Sequence, residues 1–240
     1  MMSLRFVALV VVALAGSTLA KEKTSALPIK VTLGQGSYCS GTTISSTQIL
    51  IPATCVMSGM GMDVKVRPEG IPINDSGEMY RINRIVYHPD RNYMDMSKEY
   101  AIVTVDRKID GGKDFKAAKL AKDDVTIPEG ETVTTVRVST EMPTISYYWQ
   151  ALVYQDLTVV NDAKCKERFP DMWSDSFICV GPANPDTSDP NNQCQGNQGA
   201  PLAWNGKIVA VASCELSCYG DLCAYRKISS FQSFIDQNKN

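Results

Sequence analysis

The chain has 240 residues, enough for one large domain or two small ones with real cores. Its 24 basic and 26 acidic side chains leave a formal charge of −2, which gives no polycationic surface for nucleic acid or an anionic membrane. With 44% hydrophobic and 21% charged residues, the composition is that of an ordinary soluble protein and not of a disordered one.

The N-terminal segment 1–20 stands apart. Arg5 supplies a positive charge, Phe6 to Ala15 form a ten-residue apolar run, and Thr18-Leu19-Ala20 ends in a small residue. This is the pattern of a secretory signal peptide, too short to serve as a membrane anchor. The expected mature chain starts at Lys21 and is secreted, extracellular and soluble. A buried N-terminal helix is the competing reading, and the placement of the run at the start of the chain disfavours it.

Beyond the signal, short β-strands are predicted at Ile29 to Leu33, Thr42 to Ser45, Gln48 to Ile51, Val64 to Arg67, Arg81 to Tyr87 and Tyr100 to Val105. Clusters of Gly, Pro, Asn and Asp separate them at short intervals, as in a barrel or sandwich. Lys108 to Glu131 is polar, holds Gly111-Gly112 and Pro128, and reads as a connection between two halves. Strands resume at Val133 to Val138, Tyr148 to Val160, Phe177 to Val180, Pro201 to Trp204, Ile208 to Ala212 and Ala224 to Ile228. Helices are expected at Ala163 to Phe169 and at Ser229 to Gln237, where Phe231, Phe234 and Ile235 share one face that can dock on a barrel. The loop Gly181 to Asn192 holds three prolines and no large apolar side chain, and is expected to be exposed.

Eight cysteines are present: Cys39, Cys55, Cys165, Cys179, Cys194, Cys214, Cys218 and Cys223. An even number in an oxidising compartment favours disulfides. Zinc would need paired C-x-x-C units or supporting histidines, and His88 is the single histidine, so no metal and no cofactor is expected. Asn74-Asp75-Ser76 is an acceptor sequence for N-glycosylation on an apparent surface loop.

Five segments in order resemble signatures of the chymotrypsin/trypsin family of serine proteases. Cys39-Ser-Gly-Thr-Thr-Ile-Ser-Ser, running on to Ile51-Pro-Ala-Thr-Cys55, is similar to C-G-G-[ST]-L-I-S…T-A-A-H-C. Glu99-Tyr-Ala-Ile-Val resembles D-I-A-L-L, and Cys194-Gln-Gly-Asn-Gln-Gly-Ala-Pro-Leu202 resembles C-Q-G-D-S-G-G-P-L. Cys165 through Phe177-Ile-Cys179-Val-Gly matches C…M-I-C-A-G, and Ser229 to Gln237 matches the family's terminal helix. The resemblance covers about Pro28 to Ile235. It implies an all-β fold of two antiparallel Greek-key β-barrels with a short C-terminal α-helix and a cleft between the barrels. The N-terminal barrel is expected within 21–120, and the C-terminal barrel plus terminal helix within 121–240. The family's disulfide pattern implies Cys39–Cys55, Cys165–Cys179 and Cys194–Cys218, which leaves Cys214 and Cys223 as the fourth pair.

The chain departs from the family where the chemistry lies. Catalysis there needs a nucleophilic Ser, a His that takes its proton and a buried carboxylate that orients the His. The matching positions hold Gln198, Thr54 and Glu99. An amide is no useful nucleophile, and a threonine hydroxyl does not hold a proton near neutral pH. His88, in Tyr-His-Pro-Asp, is expected to be an ordinary surface histidine; a relocated general base is the other reading. The Asp that precedes the family's nucleophile and pairs with a freed N-terminus is Asn197 here, and no I-V-G-G start is present. At the former specificity pocket the floor is Asn192, with no carboxylate to attract Lys or Arg. Its walls are Ser213, Cys214 and Glu215, with Cys223 opposite. A Cys214–Cys223 bridge with the Glu215 side chain either fills this pocket or only braces a loop. Gly196 is a remnant of the oxyanion hole.

These substitutions point to a secreted, non-catalytic protease homologue that acts by binding an extracellular protein. The Ala-Thr-Cys replacement resembles that of the glucanase inhibitor proteins secreted by plant-pathogenic oomycetes, which implies a host glycoside hydrolase, an endo-β-glucanase, as partner. Met57 to Met62 and Asp90 to Met96 hold five methionines that form a contact surface or belong to core and loop. The alternatives are a trypsin-like endopeptidase or other hydrolase with residual activity, and a structural protein of the wall or matrix.

Overall fold

The computed structural model describes residues 28–33, 37–57, 63–66, 78–92, 98–109, 117–139, 151–183, 198–212 and 222–240. Within them the strands are β1 (Pro28–Leu33), β2 (Ser37–Thr43), β3 (Gln48–Pro52), β4 (Asp63–Val66), β5 (Glu78–Tyr87) and β6 (Tyr100–Val105), followed by β7 (Thr132–Ser139), β8 (Ala151–Val159), β9 (Phe177–Pro182), β10 (Pro201–Trp204), β11 (Lys207–Ala212) and β12 (Cys223–Lys227). They close into two antiparallel barrels, ordered β1-β2-β3-β6-β5-β4 and β10-β11-β12-β9-β8-β7. In each, a three-strand meander is followed by strands that return to lie beside its first member, and closure leaves no free sheet edge.

Alternation along β3 and β6 explains how the barrels join. Ile49 and Ile51 point into the first barrel with Ala101, Val103 and Val105. Leu50, Tyr100 and Ile102 point the other way, into a layer shared with Ala203, Ile208 and Val211 of the second barrel and with Ile228, Phe231, Phe234 and Ile235. Strands buried on both faces read as continuous apolar runs, which is why these segments stand out in the sequence.

β2 begins at Ser37 rather than at Thr42. Ser37-Tyr-Cys-Ser-Gly41 carries no apolar alternation; its ladder to β1, with Val31 opposite Cys39 and Ile29 opposite Gly41, makes it a strand. Ile44 and Ser45 instead form the turn, their N–H groups donating to the Gln48 carbonyl at 2.9 and 3.3 Å. The segment after β6 has only an isolated bridge, Leu120 to Ile208, among its described residues. It is nonetheless a strap on both barrels: Ala118 N–H donates to Thr43 O at 2.8 Å, and Ala121 N–H to Ile208 O at 2.9 Å. The expected exposed loop begins late, because Gly181 is buried within β9; residues 184–192 lie outside the described part.

α1 (Asp162–Arg168) starts at Asn161, whose side chain accepts from Ala163 N–H at 2.9 Å, and its charges follow the helix dipole, with Asp162 first and Lys166 and Arg168 last. The expected terminal helix is a 3-10 turn (Ile228–Phe231) leading into α2 (Gln232–Asn238). Gln48 Nε2 donates to Asn238 O at 2.7 Å and ties α2 to the first barrel. Two disulfides are described, Cys39–Cys55 and Cys165–Cys179. Cys223 is also disulfide-bonded, to a partner outside the described residues.

Candidate functional site

β3 ends at Pro52, and the next turn of 3-10 helix, Ala53–Val56, carries Thr54 and Cys55. Across from it, Glu99 immediately precedes β6 and is 3% exposed. The backbone is bent sharply to place it: Lys98 has φ of 51°, and Tyr100 N–H donates to Lys98 O at 2.8 Å. A non-glycine residue in the left-handed region costs about 1 kcal/mol, so packing must hold it there. Ala53 N–H donates to Glu99 O at 3.1 Å. The carboxylate is also used: Thr54 N–H donates to Oε1 in a short bond, and the Thr54 hydroxyl lies 3.4 Å from Oε2. Glu99 thus reaches the backbone and side chain of residue 54, the extra methylene notwithstanding.

Gln198 comes from the second barrel. Its carbonyl accepts from Ser40 N–H of β2 at 2.7 Å. Its side-chain Oε1 lies 3.8 Å from Cys39 Sγ, a packing contact, since a disulfide sulfur has no proton to donate. Cys39 is bridged to Cys55, the neighbour of Thr54. One disulfide therefore has Thr54 at one end and Gln198 against the other. Gly199 lets the barrels approach this closely. It has φ of 79°, and a Cβ there would lie 2.2 Å from Ser40 O and 2.5 Å from Pro52 Cδ. Gly199 N–H donates to Ala212 O at 3.1 Å, so the turn is pinned to both barrels.

Thr54, Glu99 and Gln198 are brought together. Asn192, Cys194, Gly196, Asn197, Ser213, Cys214, Glu215 and Cys218 lie outside the described residues, as does Asn74. So do the implied Cys194–Cys218 and Cys214–Cys223 pairings and the filled pocket. Of the residues expected around a former pocket, Cys223 alone is described, fully buried at the start of β12. Met57 is 51% exposed just past Thr54, while Ser58 to Met62 and Tyr93 to Met96 fall outside.

His88 is not a surface residue. It is 5% exposed, its ring lies 4.9 Å from that of Phe234 in α2, and its Nδ1 accepts from Asp90 N–H at 3.1 Å. Burial, reinforced by the nearby Lys98 charge and opposed by Asp90, holds its pKa below the usual value. The reason is α2, which covers the end of β5; sequence showed the helix's apolar face but not what it would cover.

Two closed antiparallel barrels with Thr54, Glu99 and Gln198 gathered at their junction define the trypsin-like class. The trypsin family model matches residues 17–235, and the chain belongs to that family. The vitellin-degrading protease of Bombyx mori is 25% identical over 206 residues, covering 83% of this chain and 75% of that protein. Among solved structures, mouse neuropsin, a serine protease, matches with a TM-score of 0.70 at 17% identity, covering 89% of this chain and 94% of the other. The scabies mite inactivated protease paralogue S-D1 matches with a TM-score of 0.71 at 17% identity, covering 88% and 91%. Among the described residues, no helix is long and apolar enough to cross a membrane.

Proposed function

We propose that this chain is a secreted, non-catalytic member of the trypsin family that acts by binding an extracellular protein, and that the partner is a glycoside hydrolase of the endoglucanase type. One observation carries the non-catalytic part. The buried Glu99 carboxylate is bonded to Thr54 where the family's chemistry requires an imidazole, and Gln198 stands beside the same disulfide where it requires a hydroxyl. A threonine hydroxyl cannot take a proton from a nucleophile and return it to a leaving amine, and a carboxamide does not attack a carbonyl. The signal-like segment and the disulfides support an oxidising, extracellular destination. The fold is also shared with an inactivated protease paralogue of the scabies mite. The partner class rests on the resemblance to glucanase inhibitor proteins.

The first test is incubation with casein and with a serine-directed fluorophosphonate. Turnover at least about 10⁴-fold below an active relative and no labelling are expected. Stoichiometric loss of endo-β-glucanase activity on titration with the purified chain is expected from the partner assignment; undiminished glucanase activity would remove that assignment and leave the first part standing. The relatives are named as proteases, and the described residues offer a residual hydrolase the Thr54 hydroxyl with Glu99 as base, 3.4 Å away. Casein turnover abolished by Glu99→Gln would establish that reading in place of ours.

A further inference from the structure

Away from Thr54 and Gln198, beside the turn that follows α1, Arg226 of β12 is 7% exposed. Its guanidinium carbon lies 4.1 Å from the centre of the Phe177 ring, and Nη1 donates to Ser176 Oγ at 2.8 Å. Among the described residues no carboxylate forms an ion pair with it. Its Nε is buried with no acceptor. The indole Nε1 of Trp173, whose ring lies 5.8 Å from the same Phe177 ring, is a second buried donor with no acceptor. Ser174 and Ser176 add two hydroxyls, 2.6 Å apart. The cluster is thus rich in donors, carries a positive charge and holds no formal negative charge. Lys166 and Asp175, 3.7 Å apart at the surface, pair with each other.

A buried cation without a counter-ion is unfavourable, and a ring face with one hydroxyl compensates only part of the lost hydration. Buried donors without acceptors add to the deficit. Arg226 and Trp173 both pack on the Phe177 ring, so a group of anionic oxygens entering beside that ring would supply acceptors to the guanidinium edge and the indole, with the serine hydroxyls as further donors. We propose that Arg226, Trp173, Ser174 and Ser176 form a binding site for an oxyanion, either a planar carboxylate or a tetrahedral sulfate or phosphate. Because Nε and Nε1 are closed to solvent, the exposed turn between Phe169 and Phe177 must shift to admit the anion. Trp173 then reports its arrival.

The experiment titrates the purified chain with sodium acetate, sulfate or phosphate against sodium chloride at matched ionic strength, following tryptophan emission and Tm. Expected is a saturable emission change and, at ten times Kd, a Tm rise of about 3 °C or more. The acetate and sulfate arms separate carboxylate from tetrahedral recognition. Trp173→Phe keeps the packing, removes the emission change and weakens the anion-dependent Tm rise, with Kd about tenfold higher. Arg226→Met abolishes the Tm difference between anion and chloride; if that variant does not fold, Ser176→Ala, expected to weaken binding, takes its place. No saturable response in the wild type up to about 50 mM anion would overturn the proposal, as would a response that these variants leave unchanged.

Discussion

His88 shows how one residue's surroundings set its behaviour. Packed on Phe234 with Nδ1 bonded to Asp90 N–H, the imidazole has its pKa held below the usual value, chiefly by burial. Its pKa is lower folded than unfolded, so the unfolded chain takes up the proton first. The resulting stabilisation is complete above the unfolded value of about 6.5 and is lost as pH falls through the folded value. Chemical denaturation between pH 7 and 5 should show an acid slope for the wild type of up to about 1.4 kcal/mol per pH unit from this group. His88→Phe should flatten that part of the slope; an unchanged slope would mean that the imidazole titrates normally. Because Nδ1 and one ring face are already engaged, the same geometry disfavours His88 as a relocated base.

Among the elements, the β10–β11 hairpin and α2 use opposite means. Asn205 and Gly206 have φ of 47° and 72°, the two left-handed residues of a tight turn whose twist matches its strands. That hairpin is fixed locally. α2 is only seven residues long, too short to hold helix by itself, and depends on docking. Tyr100 and Phe231 stack at 4.3 Å, Phe234 and Ile235 are buried, and Gln48 holds the end. Phe234→Ala should therefore cost about 3 kcal/mol in denaturant unfolding. It should also raise the His88 pKa in an NMR titration, since the covering ring is gone. A loss under about 1 kcal/mol would show that α2 is peripheral.

At the scale of the whole molecule, the site exists because two closed barrels meet. Ser40 N–H to Gln198 O, Gly199 against Pro52 and the Cys39–Cys55 bridge are all within a few residues of the junction. Gly199→Ala would force a Cβ onto a backbone oxygen at a positive φ, and neither can relax without parting the barrels. Unfolding should show a loss of about 3 kcal/mol or more, or no folded protein at all. A nearly neutral substitution would mean that the barrels are not so closely joined.

By itself the sequence determined the apolar strands, such as Tyr100 to Val105 and Pro201 to Trp204, which end where their apolar runs end. Motif order singled out Thr54, Glu99 and Gln198, which the fold brings to one junction, because short motifs at fixed spacing are legible along the chain itself. Tertiary structure alone decided three things. β2 extends back to Ser37 because a neighbouring strand supplies the ladder that its side chains do not signal. His88 is buried because a helix far along the chain covers it. Arg226 pairs with no carboxylate among the described residues, because β12 and the turn after α1, distant in sequence, enclose it with a ring and a hydroxyl. Periodicity and motifs are local properties of the chain, whereas burial and pairing depend on what lies across the fold.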